Sequence, residues 1–495
     1  MLKRKKYFIF LICISFLIFN NIKLVYAKEN ILIKNKTIFL NQDFYIKLNN
    51  NLNIDSIKKS NKNISIKKIK RNKYLITPHK LGKSNVIIKT NKKEYKYQIN
   101  IKKTYKLDND KLKKIIKEQN PKKIIFTNKK NKKYTFDLSS NNDKSVISWI
   151  NKDTMYISTN DNNYIISDDL SYMFFDCKNI ELIDFTYLKT SNNDSTLYMF
   201  ANCENLNTII NLNKLDFSKV KDMYGTFLGC HSLKELDLKN INTSNVTNMS
   251  AMFCNCISLE KIIGLETWNT SKVKDMSNMF SYGISYSSQS SLEYINLSTW
   301  DVSNVRDMSD MFYGCGKLEY LDVSKWNTKN LKNVDHMFCR CLSLDNLDVS
   351  NWDVSNVVDF NAMFHECESL KFIDVSKWNT KSAIYMCQMF EMCISLKEIN
   401  VSNFNTTNVI GYGEMFKDCI SLQELNLTSF SSNKVLLGKC IQGKNDYFRC
   451  CTGFESMFKN CKNLKSIYVN STWDISNKPN EEIFKNCGTN IFTKI

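Results

Sequence analysis

The chain has 495 residues, too many for one compact core, so two or more modules are expected. Its hydrophobic fraction of 43% is that of a folded protein, while the scarcity of Gly (13) and Pro (3) leaves turns to Asn, Asp and Ser, whose side chains bond their own backbone. The net charge of +20 is uneven: residues 28–135 carry 31 Lys/Arg against 7 Asp/Glu, and residues 136–495 carry 33 against 42.

At the N-terminus, Lys3, Arg4, Lys5 and Lys6 precede the apolar run from Tyr7 to Phe19, and "VYA" ends at Ala27. That order is a cleavable export signal over residues 1–27, with an apolar run too short to span a bilayer. Cys13 lies inside that run without small residues before it, so a lipid anchor is not expected. No later stretch is long and apolar enough for a span, and the mature chain is expected at the cell surface or outside the cell.

Residues 28–104 read as short strands. "YLITP" at 74–78, "NVIIK" at 85–89 and "YKYQINI" at 95–101 follow one another, with Tyr95, Tyr97, Ile99 and Ile101 on one face. That spacing predicts a small antiparallel sandwich. The stretch from Tyr74 to Ile101 resembles the last strands of a bacterial Ig-like domain. The basic composition of 28–135 could grip an anionic envelope polymer. Nucleic acid is not expected as a partner: Lys, Asn and Ile are inflated together, as in an AT-rich genome, and an exported chain rarely meets it.

Residues 105–170 form a transition. Asp108 is placed to cap a short helix with Leu112, Ile115 and Ile116 on its buried side. "KIIFT", "YTFDLS", "SVISWI" and "TMYIST" then read as strands.

From residue 171 to 495 the chain repeats. A Phe, usually after Met, recurs at 174, 200, 227, 253, 280, 312, 338, 364, 390, 416, 458 and 484, mostly 26 residues apart, and eleven of the twelve have a Cys three residues on. In "LEYLDVS" at 318–324 apolar Leu321 and Val323 alternate with Tyr320, Asp322 and Ser324, the period of a strand. Val246, Met249, Met252, Phe253 and Cys256 have the spacing of one helix stripe, and Asn248, Asp275 and Asp307 are apt N-caps. The expectation is therefore an α/β solenoid of about twelve strand–helix units, each the core of its neighbour.

The unit "LDVSxWxxSxVxxMxxMFxxC" resembles the BspA-like family of leucine-rich-repeat surface proteins, and most closely its branch with a surface- or lipoprotein-associated repeat of unknown function. The resemblance covers roughly residues 120–487. It implies a leucine-rich-repeat-like solenoid and an adhesin or surface antigen that binds host matrix or cell-surface proteins. This chain departs from that pattern in lacking both a lipobox and a recognisable C-terminal anchor.

Eleven cysteines form a ladder: Cys177, Cys203, Cys230, Cys256, Cys315, Cys341, Cys367, Cys393, Cys419, Cys461 and Cys487. One fixed slot per unit predicts small, buried, free thiols, because in-register neighbours have parallel Cβ directions unsuited to bridging. Cys440, Cys450 and Cys451 lie off the ladder in a long insertion, where a disulfide is left open. The aromatic slot filled by Trp268, Trp300, Trp326, Trp352, Trp378 and Trp473 reads as core. The four His occupy unrelated slots, and no nucleophile–base set, phosphate loop or zinc spacing appears. No enzyme activity, cofactor or metal is expected, although stacked Asp could in principle collect calcium.

Surface is what remains. Tyr294, Tyr320 and Phe372 occupy one solvent-facing strand slot, beside Asp322, Asp348 and Asp374. Aromatic anchors rimmed by polar groups suit a protein-binding face. An envelope structural or glycan-binding role is the alternative.

Overall fold

The computed structural model describes residues 25–26, 33–39, 44–48, 54–70, 72–80, 82–90, 94–102, 105–131, 133–159, 161, 163–190, 192–283, 290–436, 441–442, 448–449, 453–478 and 480–495. Apart from Val25 and Tyr26, the expected leader lies outside them, as do Cys440, Cys450 and Cys451.

The N-terminal module has eight strands: β1 Val25–Tyr26, β2 Ile33–Phe39, β3 Phe44–Lys47, β4 Ile54–Lys59, β5 Ile64–Lys70, β6 Lys73–Pro78, β7 Gly82–Thr90 and β8 Glu94–Lys102. They form two four-stranded sheets, ordered β1-β3-β6-β5 and β2-β8-β7-β4. Alternation along β3, β6, β7 and β8 sends one set of side chains inward. Phe44, Ile46, Ile64, Ile76, Val86, Ile88, Tyr95, Tyr97, Ile99 and Ile101 make one core.

Helix α1, Asn109–Gln119, follows its sequence signals. The Asp108 carboxylate accepts from the N–H groups of Asp110 and Lys111, and Leu112, Ile115 and Ile116 are buried. The strands β9 Lys123–Phe126, β10 Phe136–Asp137, β11 Val146–Asn151, β12 Thr154–Thr159, β13 Ile165–Ser167, β14 Leu182–Asp184, β15 Leu188–Thr190 and β16 Thr208–Ile210 come next. Six of them form one sheet in the order β10-β11-β12-β9-β14-β16. Because β9 pairs parallel with β14, the lead-in extends the ladder of the first repeats and covers the end of their core. Phe126 stacks on Phe185 at 5.9 Å across that junction.

The repeats are not the α/β strand–helix units expected. Among the described residues of 171–495 there is no α-helix, and the strands are two to four residues long. The M-x-x-M-F-x-x-C segment is instead a pair of tight turns. Its residues two before and two after the Phe have left-handed backbone: Ala251 and Asn255 around Phe253, Ala362 and Glu366 around Phe364. An L-residue helix cannot contain such positions.

Alternate N–H groups in the turns serve different partners. Thr226, Leu228 and Cys230 donate to the carbonyl three residues back within their own coil, whereas Gly225, Phe227 and Gly229 donate to Ser250, Met252 and Cys254 of the next coil. The physical reason for the correction is spacing. Strand ladders repeat every ~4.8 Å, but packed helices need about 10 Å. Coils bonded to each other at both the strand side and the turn side need a thin element at each. The expected N-caps act here without a helix. Oδ1 of Asn248, Asp275 and Asp307 accepts from the N–H of Ser250, Ser277 and Ser309, and these Asx residues bridge to one another down the stack.

Identical slots meet inside the stack. All twelve marker Phe rings form one column, with centroids 5.1–6.2 Å apart. Trp352 and Trp378 stack at 6.5 Å in a second column, and each indole N–H donates to a carbonyl of the preceding coil, Val323 and Val349 respectively. One continuous apolar core runs from Tyr105 to Ile483.

Candidate functional site

Tyr294, Tyr320 and Phe372 are 59%, 54% and 54% exposed, which is rare for rings in a molecule that buries so many others. Their position follows from the coil. In "LEYLDVS" the flanking Leu318, Leu321 and Val323 turn inward, and Glu319 and Tyr320 stay outside. Tyr294 bridges to Tyr320, and Asn346 bridges to Phe372, so the four residues occupy equivalent places on four consecutive coils. The Tyr294 and Tyr320 rings stack at 6.3 Å and 10°. Both rings are thus pre-ordered in water, and a partner covering them would immobilise little.

The Asp residues beside them have a local task. Oδ1 of Asp322, Asp348 and Asp374 accepts from both the N–H and the hydroxyl of Ser324, Ser350 and Ser376. At Asp374 the Ser376 hydroxyl first, and then its N–H, hold the carboxyl below the usual carboxylate range. Such an Asp stabilises its turn and still presents a fixed negative charge. Among the described residues no group of three or more His, Cys, Asp or Glu stands so as to hold a metal ion.

Three further acids were not singled out in the sequence. Glu293, Glu319 and Asp345 each precede the exposed column and are themselves exposed, with Lys371 of the next coil 3.6 Å from Asp345. Aligning the repeats one position ahead of the aromatic would have shown them.

The ladder cysteines within the stack are buried and free, and each has a hydrogen bond that explains its slot. Sγ of Cys203, Cys230, Cys256, Cys315, Cys341, Cys367, Cys393, Cys419 and Cys461 donates to the carbonyl of the marker Phe one coil back, at 2.9–3.4 Å. The same Phe carbonyl already accepts a backbone N–H within its turn, as Phe338 does from Cys341. The thiol supplies its second donor. The end members Cys177 and Cys487 are only partly buried, because each lies in an outer repeat of the stack.

A charged cluster escaped the sequence reading because its members come from different repeats. The His365 imidazole lies 3.0 Å from Glu366 through Nε2. Its Nδ1 stands 3.0 Å from Glu391, outside hydrogen-bond geometry, so that contact is electrostatic. Lys417 joins Glu391 at 2.8 Å and Glu414 at 2.6 Å, and Arg340 reaches Glu366 at 3.2 Å. Burial depresses the His365 pKa, but Glu366 and Glu391 together outweigh it and raise it to about 9. These charge pairs tie four consecutive coils together.

Among the described residues no helix is long and apolar enough to cross a membrane. No curated protein matches the chain. One family does, over residues 168–293, 282–372 and 346–439, and these matches take in most of the coil stack and over half the chain. By that match the chain belongs to the family described as Mycoplasma protein of unknown function, DUF285.

Proposed function

We propose that this is an exported, non-enzymatic surface protein that needs no cofactor, and that its coil stack binds another protein through the face built on Tyr294, Tyr320 and Phe372. The observation that carries this reading is the exposure of three large rings at equivalent places on neighbouring coils, while the marker-Phe and Trp columns belong to the core. Rings held by a rigid backbone and rimmed by carboxylates are the anchors that protein interfaces use, and acids around them steer a basic partner. The resemblance to leucine-rich-repeat surface proteins supports the same reading, with host matrix or cell-surface proteins as the partner class.

The test is a binding screen of residues 28–495 against purified matrix proteins, followed by the combined change Tyr294→Ala, Tyr320→Ala and Phe372→Ala. Truncating such anchors typically costs about 2 kcal/mol or more, roughly thirtyfold in affinity. Unchanged affinity in a variant that still melts cooperatively would remove this face from the function.

A further inference from the structure

The face just described calls for a basic partner, and the chain carries one of its own. Strands β4 and β5 are edge strands of the two sheets, and only residues 60–63 join them, so the two edges lie on the same side of the sandwich. Residues 54–70 place Lys58, Lys59, Lys62, Lys67, Lys68 and Lys70 there, all exposed, with Asp55 as the single acid. Ile69 stands among them 40% exposed, an apolar contact inside a basic strip. Lys59 bends back to the Ile64 carbonyl, Lys62 lies in the turn, and Lys58, Lys67, Lys68 and Lys70 are carried by the strands.

The acidic face has the opposite composition. Glu293, Glu319 and Asp345 stand before the exposed column, and Asp322, Asp348 and Asp374 stand after it. Lys371 is the one base at these positions. Sizes match as well. Four coils span roughly 15 Å, and a seven-residue edge strand about 23 Å, so the strip can lie along the face.

We propose that this acidic, aromatic face of one copy takes the basic β4–β5 edge of the sandwich of a second copy. The two surfaces differ, so the contact is head-to-tail; it leaves a free edge at one end and a free face at the other and propagates into linear arrays. Lysines on edge strands also discourage strand-to-strand pairing. That role explains the edge alone; it does not explain the complementary face. The proposal rests on the face being a protein-binding site, and its partner is self.

The experiment is sedimentation velocity on residues 28–495, which contain both hydrophobic cores. Charge-driven contacts weaken as the screening length falls from ~14 Å at about 0.05 M salt to ~3 Å at about 1 M. The expected result is concentration-dependent species larger than dimers at low salt and monomer at high salt. A face variant (Tyr294→Ala, Tyr320→Ala, Phe372→Ala) and an edge variant (Lys67→Glu, Lys68→Glu, Lys70→Glu) should each be monomeric alone. Mixed in equal amounts they should form a dimer and nothing larger, because each supplies the surface the other lacks; misfolded chains could not do this. Monomeric wild type at low salt, or assembly of either variant alone, overturns the proposal. Monomeric wild type that still binds a matrix protein through the face would sink only the self-association. Self-association without matrix binding would leave the face a protein site but sink the host partner.

Discussion

A thiol in the ladder slot combines three properties: small volume, apolar packing and a weak donor. Burial pushes the Cys367 thiol up to about 12, so it stays protonated and slow to react at neutral pH. Thiol reagents should leave Cys341 and Cys367 unmodified in the native protein and label them on unfolding; rapid native labelling of either would contradict the ladder. Cys367→Ala removes the bond to the Phe338 carbonyl and leaves a small void, and should lower stability by about 1–2 kcal/mol in urea unfolding. His365 adds a pH dependence. Its folded pKa, about 9, lies above its ordinary 6.5, so its contribution is full below about 6.5 and is lost as pH rises through about 9. Glu366 and Glu391 lie below their ordinary value, so theirs is present above about 4.5 and fades as pH falls. His365→Ala should therefore cost more at pH 6 than at pH 10. Equal losses at both would mean the imidazole carries no charge in the fold.

At the scale of the element, the turn pair and the helix it replaces make opposite forecasts for one substitution. In a helix interior Gly→Ala is stabilising by roughly 1 kcal/mol. Gly314 instead has φ +73°, and a Cβ there would meet the Tyr282 carbonyl oxygen at 2.3 Å. Gly314→Ala must therefore strain the backbone and separate two coils, with an expected loss of about 2 kcal/mol or more. A rise in Tm would restore the helical reading. The signal for the turns was present in the sequence. The residue two after the marker Phe is mostly Asn, Asp or Gly, the types that tolerate left-handed backbone. It was masked because apolar residues three and four apart fit a tight turn and a helix stripe equally well.

At the scale of the molecule, the two cores are separate clusters. The sandwich depends on strand pairing within about 80 residues, whereas each coil depends on its neighbours. Calorimetry should resolve two transitions, and Ile76→Ala in the sandwich core should lower only one of them. A single transition shifted as a whole would mean that the modules unfold as one unit. The charge division follows the same boundary, since the basic excess lies mainly in the sandwich and the acids lie on the stack.

The sequence alone determined the module order, the strands at 74–78 and 95–101, the Asp108-capped helix, the Phe, Trp and Cys columns, and the exposure of Tyr294, Tyr320 and Phe372. Each of these rests on a local period or on the logic of repetition, in which equal slots must meet. It did not determine what fills the segment around each marker Phe, because local periodicity cannot reveal how thick a layer the neighbouring coils permit. It also missed the joining of His365, Glu366, Glu391 and Lys417, and the second hydrogen bond on each Phe carbonyl. Those were decided by the tertiary structure, since they arise only when coils 26 residues apart stand one strand spacing from each other.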